Sequence, residues 1–509
     1  MIRKEKKLSP IITFIILTFV IIVISGILSF FNVQAEYSTV NTVTNELNNN
    51  VVQVENLFSG EGFKYILTNA VSDFVSFAPL SMILITLIGI GVLEKTGFLK
   101  TVFTLLTRNA KKYTITFILI FFSLMFSLMG DIGFVVMLPI GALLYKYGRR
   151  NPLGGIIAAF AASSFGYSIN IIMNATDSTL FTTTLNAARI LDPKYGISNL
   201  FSLFIMLAAL ILFSIVFTNI TEKNIMPKLK KYDFEEEPLQ LTNKELRGMI
   251  VGLAAGILYI LIIIYMIIPG LPLSGGLLDK SAGLYIDKVF GANSLFNQGF
   301  IFIISLFFII IGLFYGLMTK TIKSSKDVSE CLSYSLDGVG STIVLIFFAS
   351  MFISVMKKSN IGIVLTGLLS NLLGSFNFTG ITLILVLLFI TLISNFFFPS
   401  KTLKWSVLAG VTVPMFMNAS LSPELAQIVY VAGDSITNGL TPVFAYFVIY
   451  LALMEKYNQN DNITLFGSMK YMVPYSIATF VMWLSLILIF YVTGLPLGIN
   501  SMPGVNYVS

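Results

Sequence analysis

The sequence predicts an all-α polytopic membrane protein of about nine transmembrane helices and two re-entrant helical hairpins of opposite direction, arranged as an inverted repeat. Composition is the first observation: 56% of the 509 residues are hydrophobic, 11% are charged, and the mean hydropathy is +0.87. That is far more apolar than a soluble domain of any size. Second, the basic residues fall mostly in short loops between apolar segments, the distribution that the positive-inside rule produces. Third, two apolar stretches far apart in the chain are interrupted by polar residues with Gly or Pro. Irregular backbone at membrane depth is tolerated only where protein or a water-filled cavity satisfies it.

Composition also removes function classes. There is no histidine and one cysteine, Cys331, so a His/Cys metal site, a disulfide, and catalysis by His or a Cys–His pair are excluded. Cys331 reads as a small buried apolar residue. An intramembrane enzyme is disfavoured by the lack of an HExxH or a Ser–Lys or Ser–His constellation, and ATP-driven transport by the lack of GxxxxGK[ST]. A channel would pass current without saturable exchange. The net charge of +7 and pI of about 9.1 arise from the loops, so the expected partners are lipid and a small solute, with no nucleic acid. No cofactor is expected beyond a coupling sodium ion or proton.

Taken in order, Lys4, Lys6 and Lys7 hold the N-terminus in the cytoplasm, and a retained first helix runs outward from Ile11 to about Phe31. Its apolar run is too long for a signal peptide, and no A-x-A site follows it. The loop over 32–56 carries Glu36, Glu46 and Glu55 and neither Lys nor Arg, as suits the outside. Helix two returns over about 63–93, broken near Phe77, Ala78 and Pro79, to a basic cytoplasmic loop. The run over 114–145 cannot be one crossing, because that would put Lys146, Arg149 and Arg150 outside. A hairpin turning at GDIG, Gly130 to Gly133, keeps them inside.

The stretch over 152–190 is a crossing too long for one uninterrupted helix, since about 20 residues suffice. Its middle, SINIIMNATDST, is polar enough to be unwound. Helix four (200–220), helix five (249–268) and helix six (299–318) follow, each turn agreeing with the charge rule. Helix seven, over 336–356, leaves Lys357 and Lys358 outside, the one clear dissent. Short segments near Leu365 to Leu373 are expected at the outer surface. A second hairpin over 379–417 has its polar tip at Asn395 to Lys404; a second over-long crossing over 423–454 is interrupted by GDSITNGLTP. A last helix, over 471–491, leaves the C-terminus outside.

Two halves of one integral membrane domain (1–509) thus share a plan: 63–220 with hairpin 114–145 and broken crossing 152–190, and 247–492 with hairpin 379–417 and broken crossing 423–454. Inverted repeats of this kind place substrate and ion sites near the bilayer midplane, between discontinuous helices.

An ionised Asp at the bilayer centre costs about 2.5 to 3.5 kcal/mol on insertion scales, so each one at a break needs a reason. Asp131, Asp177 and Asp434 sit beside Gly, Asn, Ser or Thr in otherwise apolar segments. Either they bind a coupling cation or relay a proton, with Asn174, Asn395 and Asn438 helping, or they cap the half-helices; both can hold for one residue. Ser400, Thr402 and Trp405 of the second hairpin suit a carboxylate and an aromatic ring, with an interfacial anchor as the bland reading of Trp405. For Lys401 and Lys404 the favoured reading is snorkelling to the outer surface.

The chain resembles the p-aminobenzoyl-glutamate transporter (AbgT) family. The similarity runs nearly the full length, through GFKYILTNAVSDFVSFAPL and GIGVLEKTG, then GDIGFVVMLPIGALL, NPLGGIIAAFA, KWSVLAGVTVPMFM and LSPELAQIVYVAGDSITNGLTP. The resemblance implies a homodimer whose protomers each have nine helices and two opposed hairpins, an outer scaffold, and an inner core that holds the site. It also implies cation-driven transport of aminobenzoyl-glutamate-like folate fragments, with sulfonamide efflux in some members. Carried over by position, the family's site falls on Asp177, Thr402, Trp405, Pro423, Asp434 and Pro442.

Two departures stand out: SKTLKW replaces the family's SASAKW, and Val431 stands where Arg is frequent, three residues before the Asp of GDS. Lys401 or Lys404 is the candidate substitute for the lost guanidinium. The expectation is therefore an elevator-type secondary transporter in the cell membrane, a symporter or antiporter. Its substrate would be p-aminobenzoyl-glutamate or a similar small anion, with sulfonamide export or another dicarboxylate as the alternative. Substrate would lie among Asn174, Asp177, Ser400, Thr402, Trp405, Pro423, Asp434 and Pro442. The coupling cation or proton would involve Asp131, Asp177, Asn395, Asp434 and Asn438, with sodium at Asp434 and Asn395.

Overall fold

The computed structural model describes residues 8–40, 46–234, 241–291, 293–459 and 463–504. Lys4, Lys6, Lys7 and the acidic run Glu235 to Glu237 lie outside the described residues, as does the end of the C-terminus. The chain opens with α1 (Pro10–Phe30), started by the Ser9 cap and a proline in the first turn. A hairpin of β1 (Gln34–Val40) and β2 (Leu47–Gln53) follows. Then come α2 (Gly60–Val75), α3 (Ala78–Thr96), α4 (Phe98–Thr107), α5 (Lys112–Met125), α6 (Ile132–Tyr147), α7 (Pro152–Phe165), α8 (Ala175–Ala188) and α9 (Leu203–Ile220). The remainder is α10 (Asn243–Ile267), α11 (Tyr285–Phe290), α12 (Leu295–Thr319), α13 (Ser325–Ser333), α14 (Gly340–Lys358), α15 (Ile361–Gly374), α16 (Gly380–Phe397), α17 (Lys401–Asn418), α18 (Pro423–Ser435), α19 (Phe447–Tyr457) and α20 (Leu465–Thr493).

Among the described residues, nine helices are long and apolar enough to cross a membrane, the expected number but not the expected nine. They include the first arm of each hairpin, Lys112–Met129 and Gly380–Phe397, and omit both broken crossings. The halves of those crossings, α7, α8, α18 and α19, have 14, 14, 13 and 11 residues. A 14-residue helix rises about 21 Å, short of the hydrocarbon core, so each crossing needs both halves.

A small β-hairpin accompanies the expected helical fold. Its first strand rests on α15 and α17, where glycines let it approach: a Cβ on Gly410 would lie 2.8 Å from the Ser38 carbonyl oxygen. Asn371 donates to the Glu36 carbonyl at 2.8 Å, so the edge of this small sheet is covered. The short outer segments expected near Leu365 are one continuous helix, α15.

Helices sort into two bodies by packing. α3 packs with α12 and α12 with α10, while α14 packs with α1 and α2, giving an outer set. The inner set is the two hairpins, the two broken crossings, α9 and α20. Every residue of α18 is buried, as is nearly all of α7 and the run Phe447 to Met454 of α19, the mark of helices enclosed on all sides. α6 and α7 touch backbone to backbone, since a Cβ on Gly155 would meet the Gly141 oxygen at 2.1 Å.

The basic cluster KYGRR holds more than an orienting charge. Arg150 Nη2 lies 2.6 Å from Glu222 Oε1 with both side chains 6% exposed, and Arg150 Nη1 donates to Thr116 Oγ1 at 2.9 Å. Thr116 in turn bonds Glu222 and the Tyr145 hydroxyl, and the guanidinium lies 4.2 Å from the centre of the Tyr145 ring. This network ties both arms of the first hairpin and the start of α7 to the end of α9. Glu222→Gln is expected to lower stability by about 3 to 5 kcal/mol in denaturant unfolding, because it leaves a buried guanidinium uncompensated. The double change Arg150→Met with Glu222→Leu is expected to recover most of that loss.

Candidate functional site

The second hairpin turns at Phe398, Pro399 and Ser400, and α17 begins at Lys401. Lys401 and Lys404 are three residues apart on one face of α17, so both point the same way. That face is turned to the broken crossings. Lys401 Nζ lies 3.2 Å from Asp177 Oδ1 in the first turn of α8, with side chains 4% and 14% exposed. Lys404 Nζ lies 2.6 Å from Asp434 Oδ1 at the end of α18, with side chains 0% and 1% exposed. The snorkelling expectation is therefore wrong for both lysines: each side chain is buried and its ammonium is turned onto an aspartate.

One hairpin thus holds one aspartate from each broken crossing. Asp434 is the penultimate residue of α18, where the helix dipole disfavours a carboxylate, so capping does not explain it. Its Oδ1 lacks an aligned hydrogen bond, so its charge is balanced by the close Lys404 ammonium as an ion pair. Lys404 also donates to Asn395 Oδ1 at 2.6 Å. Asn395 Nδ2 in turn reaches the Asp434 carbonyl at 2.7 Å, Thr437 Oγ1 at 3.1 Å and Asn438 Oδ1 at 2.8 Å. Asn438 donates to the Ser164 carbonyl of α7 at 3.2 Å, linking the two breaks. The unwound backbone after α18 is thereby satisfied from the hairpin arm and from the other crossing.

The first break is built the same way. Ser127, near the tip of the first hairpin, donates to Asn170 Oδ1 at 2.8 Å and to the Ile169 carbonyl at 3.1 Å. Asn174 caps α8 reciprocally with Asp177, and Asn170 Nδ2 donates to Asp177 Oδ2 at 2.7 Å. Asp177 is therefore both a capping residue and half of an ion pair. Gly130 takes a positive φ of 59° to make the turn. Asp131 opens α6 without capping it and instead accepts from the Tyr167 hydroxyl at 2.8 Å.

Between the two bodies lies a cleft of about 700 Å³. Ser400, Lys401, Thr402, Asp131, Tyr167 and Thr176 wall it on the inner side; Asp73, Ser354 and Lys357 face them from the outer helices. A narrower chamber of about 280 Å³ shares Asp131, Tyr167 and Thr176 and is lined further on by Met82, Phe296, Phe300 and Asn297. The two spaces meet at Asp131.

Other expected residues fall elsewhere. Trp405 is fully buried, donating to Thr184 Oγ1 at 2.9 Å and stacked on Tyr430 with ring centres 4.5 Å apart. It is neither an interfacial anchor nor a wall of the cleft; it locks α17 against α8 and α18. Pro423 starts α18, buried, eleven residues and about 16 Å of helix before Asp434. Its neighbour Glu424 accepts from the Tyr195 hydroxyl at 2.9 Å. Pro442 immediately precedes the cleft residues Val443 to Tyr446. Val431 shares a small cavity with Asp177 and Asn170, so Lys401 supplies beside Asp177 a positive charge that Val431 lacks. The expected sodium position does not fit these residues: the side-chain oxygens of Asp434 and Asn395 that would face the ion both lie 2.6 Å from the Lys404 ammonium. Among the described residues no group of three or more acidic, His or Cys side chains could hold a metal. Sequence reasoning missed Ser127, Tyr167 and Asn170 as site residues, although Asn170 lies in the polar stretch read as unwound.

Paired hairpins, broken crossings and buried charges between two helical bodies define a multi-pass membrane transporter. The chain belongs to the AbgT putative transporter family, which matches residues 5–505. It is 29% identical over 496 residues to the p-aminobenzoyl-glutamate transport protein of Escherichia coli (strain K12), covering 97% of this chain and 94% of that one. Among solved structures it is similar to the YdaH transporter of Alcanivorax borkumensis, with 26% identity, TM-score 0.48, and coverage of 96% of this chain and 100% of that one. It is also similar to MtrF of Neisseria gonorrhoeae, described with a class of antimetabolite efflux pumps, with 27% identity, TM-score 0.49 and 98% coverage of each chain.

Asp434→Asn strands the Lys404 ammonium in the interior, so it is expected to lower the melting temperature in detergent, corresponding to a loss of about 3 to 5 kcal/mol. Lys404→Met combined with Asp434→Leu is expected to restore most of the melting temperature while abolishing gradient-driven uptake.

Proposed function

We propose that this chain is a secondary active transporter for p-aminobenzoyl-glutamate or a closely similar small anion with an aromatic acyl group, coupled to a proton gradient. The observation that carries this reading is the pairing of Lys401 and Lys404 with Asp177 and Asp434 beside a cleft between two bodies. The name of the Escherichia coli relative supports the substrate. So does the lining of the two chambers, with hydroxyls, lysines and carboxylates in the wide one and aromatic and Met side chains in the narrow one. The glutamate end would sit near Ser400 and Thr402, and the aryl ring between Met82, Phe296 and Phe300. Asp131, at the neck, would accept from the aromatic amine.

Proton coupling is favoured over sodium because Lys404 already fills the position a cation would take between Asp434 and Asn395. Asp177 and Lys401 are the pair nearest the cleft, so protonation there would loosen the hairpin from α8. The inner body would then move against the outer helices in an elevator-like step, and the homodimer and the cytoplasmic N-terminus belong to the same reading. Export of neutral sulfonamides is the weaker alternative, because such compounds leave Lys357 of the cleft without a counter-charge.

Uptake of labelled p-aminobenzoyl-glutamate into proteoliposomes tests the reading, with pH and sodium gradients imposed separately. A pH gradient alone is expected to drive uptake that unlabelled substrate competes away. Uptake driven only by sodium would overturn the coupling assignment, and no uptake under either gradient would overturn the substrate. In the same assay Thr402→Ala is expected to raise KM about tenfold, the size of one lost hydrogen bond to a charged group.

A further inference from the structure

α14 ends in two adjacent lysines on the side that the charge pattern assigns to the outside, where cations are not expected. The structure separates their roles. Lys358 Nζ lies 2.7 Å from Glu55 Oε2 and 5.5 Å from the centre of the Tyr65 ring, so its charge is balanced within the outer body. Lys357 is exposed, lines the wide chamber, and has no acidic partner among the described residues. Across the chamber stand Ser400 and Thr402, at a helix start that lacks a side-chain cap.

On the inner wall, Lys401 is committed to Asp177 and Lys404 to Asp434, and Val431 offers no charge. Asp73, also on the outer wall, accepts from the Ser354 hydroxyl, so the lysine of this chamber that has no carboxylate within ion-pair distance is Lys357, on the outer body and not on the inner one.

We propose that Lys357 is the specificity-determining residue for anionic substrate. In this reading, which rests on the transport function above, its ammonium takes a carboxylate of the substrate while the hairpin tip holds the other end. Since Lys357 belongs to the outer helices and Ser400 and Thr402 to the inner body, movement of the inner body breaks this contact. Lys357 then governs binding from the side of the cleft alone. A dicarboxylate is drawn in by the charge, and release on the far side is eased by leaving the lysine behind.

The test compares wild type, Lys357→Gln and Lys357→Arg in proteoliposomes of both orientations, using p-aminobenzoyl-glutamate and its neutral diamide as competitor. Lys357→Gln is expected to raise KM about tenfold or more from the cleft side, the size of one charge-assisted contact, with little change from the other side. Its maximal rate should hold, its preference for the dianion over the diamide should fall, and Lys357→Arg should restore both properties. Wild-type uptake that Lys357→Gln leaves unchanged in KM and in dianion preference would overturn this proposal while sparing the transport reading. Equal KM effects from both sides would overturn it as well. Absence of uptake by wild type would overturn both.

Discussion

A lysine ammonium and an aspartate carboxylate, 2.6 Å apart and sealed from solvent, set the terms for the rest of the inner body. Either charge alone at that depth is costly, and removing one partner strands the other. Lys404 can reach Asp434 only if α17 lies against the end of α18, and Asn395 can hold both only if α16 turns back beside them. The hairpin, the break after α18 and the capping of the exposed backbone follow from that single contact. Lys401 and Asp177 repeat the arrangement on the other crossing, closer to the cleft. With both pairs closed, Lys401 and Lys404 are each balanced by an aspartate, while Asp131 and Glu424 accept from tyrosine hydroxyls.

The cleft lies where the inner body meets the outer helices. Its inner wall is polar but largely self-satisfied, since each cation has its carboxylate and Asp131 has Tyr167. The lysine without a carboxylate partner, Lys357, is on the outer wall, as is Asp73, which accepts from the Ser354 hydroxyl. That division gives the two bodies different tasks in the proposed cycle, selection by the outer body and conveyance by the inner one.

Much of this was legible in the sequence. GDIG, SINIIMNATDST and the stretch from Asn395 to Asn438 were polar where a lipid-facing span would be apolar, so the hairpin tips, both breaks and the three aspartates could be found without coordinates. What stayed hidden were the partners. Snorkelling is a rule about a side chain and the nearest water, and it fails for Lys401 and Lys404 because their ammoniums are turned onto carboxylates 224 and 30 residues away in the chain. Trp405 was read from its rarity, but its role depends on Thr184 and Tyr430 from other helices. Arg150 was read as one more loop charge, since nothing local announces Glu222 as its buried partner. The β-hairpin was hidden for a similar reason: a polar strand pair is recognised by the helices that cover it, here α15 and α17.

The most direct test of an inner body that alternates between two sides is the accessibility of the hairpin tip. Thr402→Cys, placed in a chain whose one cysteine, the buried Cys331, is changed to Ala, would be labelled with a membrane-impermeant thiol reagent from each side in turn. The account predicts labelling from both sides, with substrate and a pH gradient shifting the balance between them. Labelling from one side only, whatever the gradient, would contradict it.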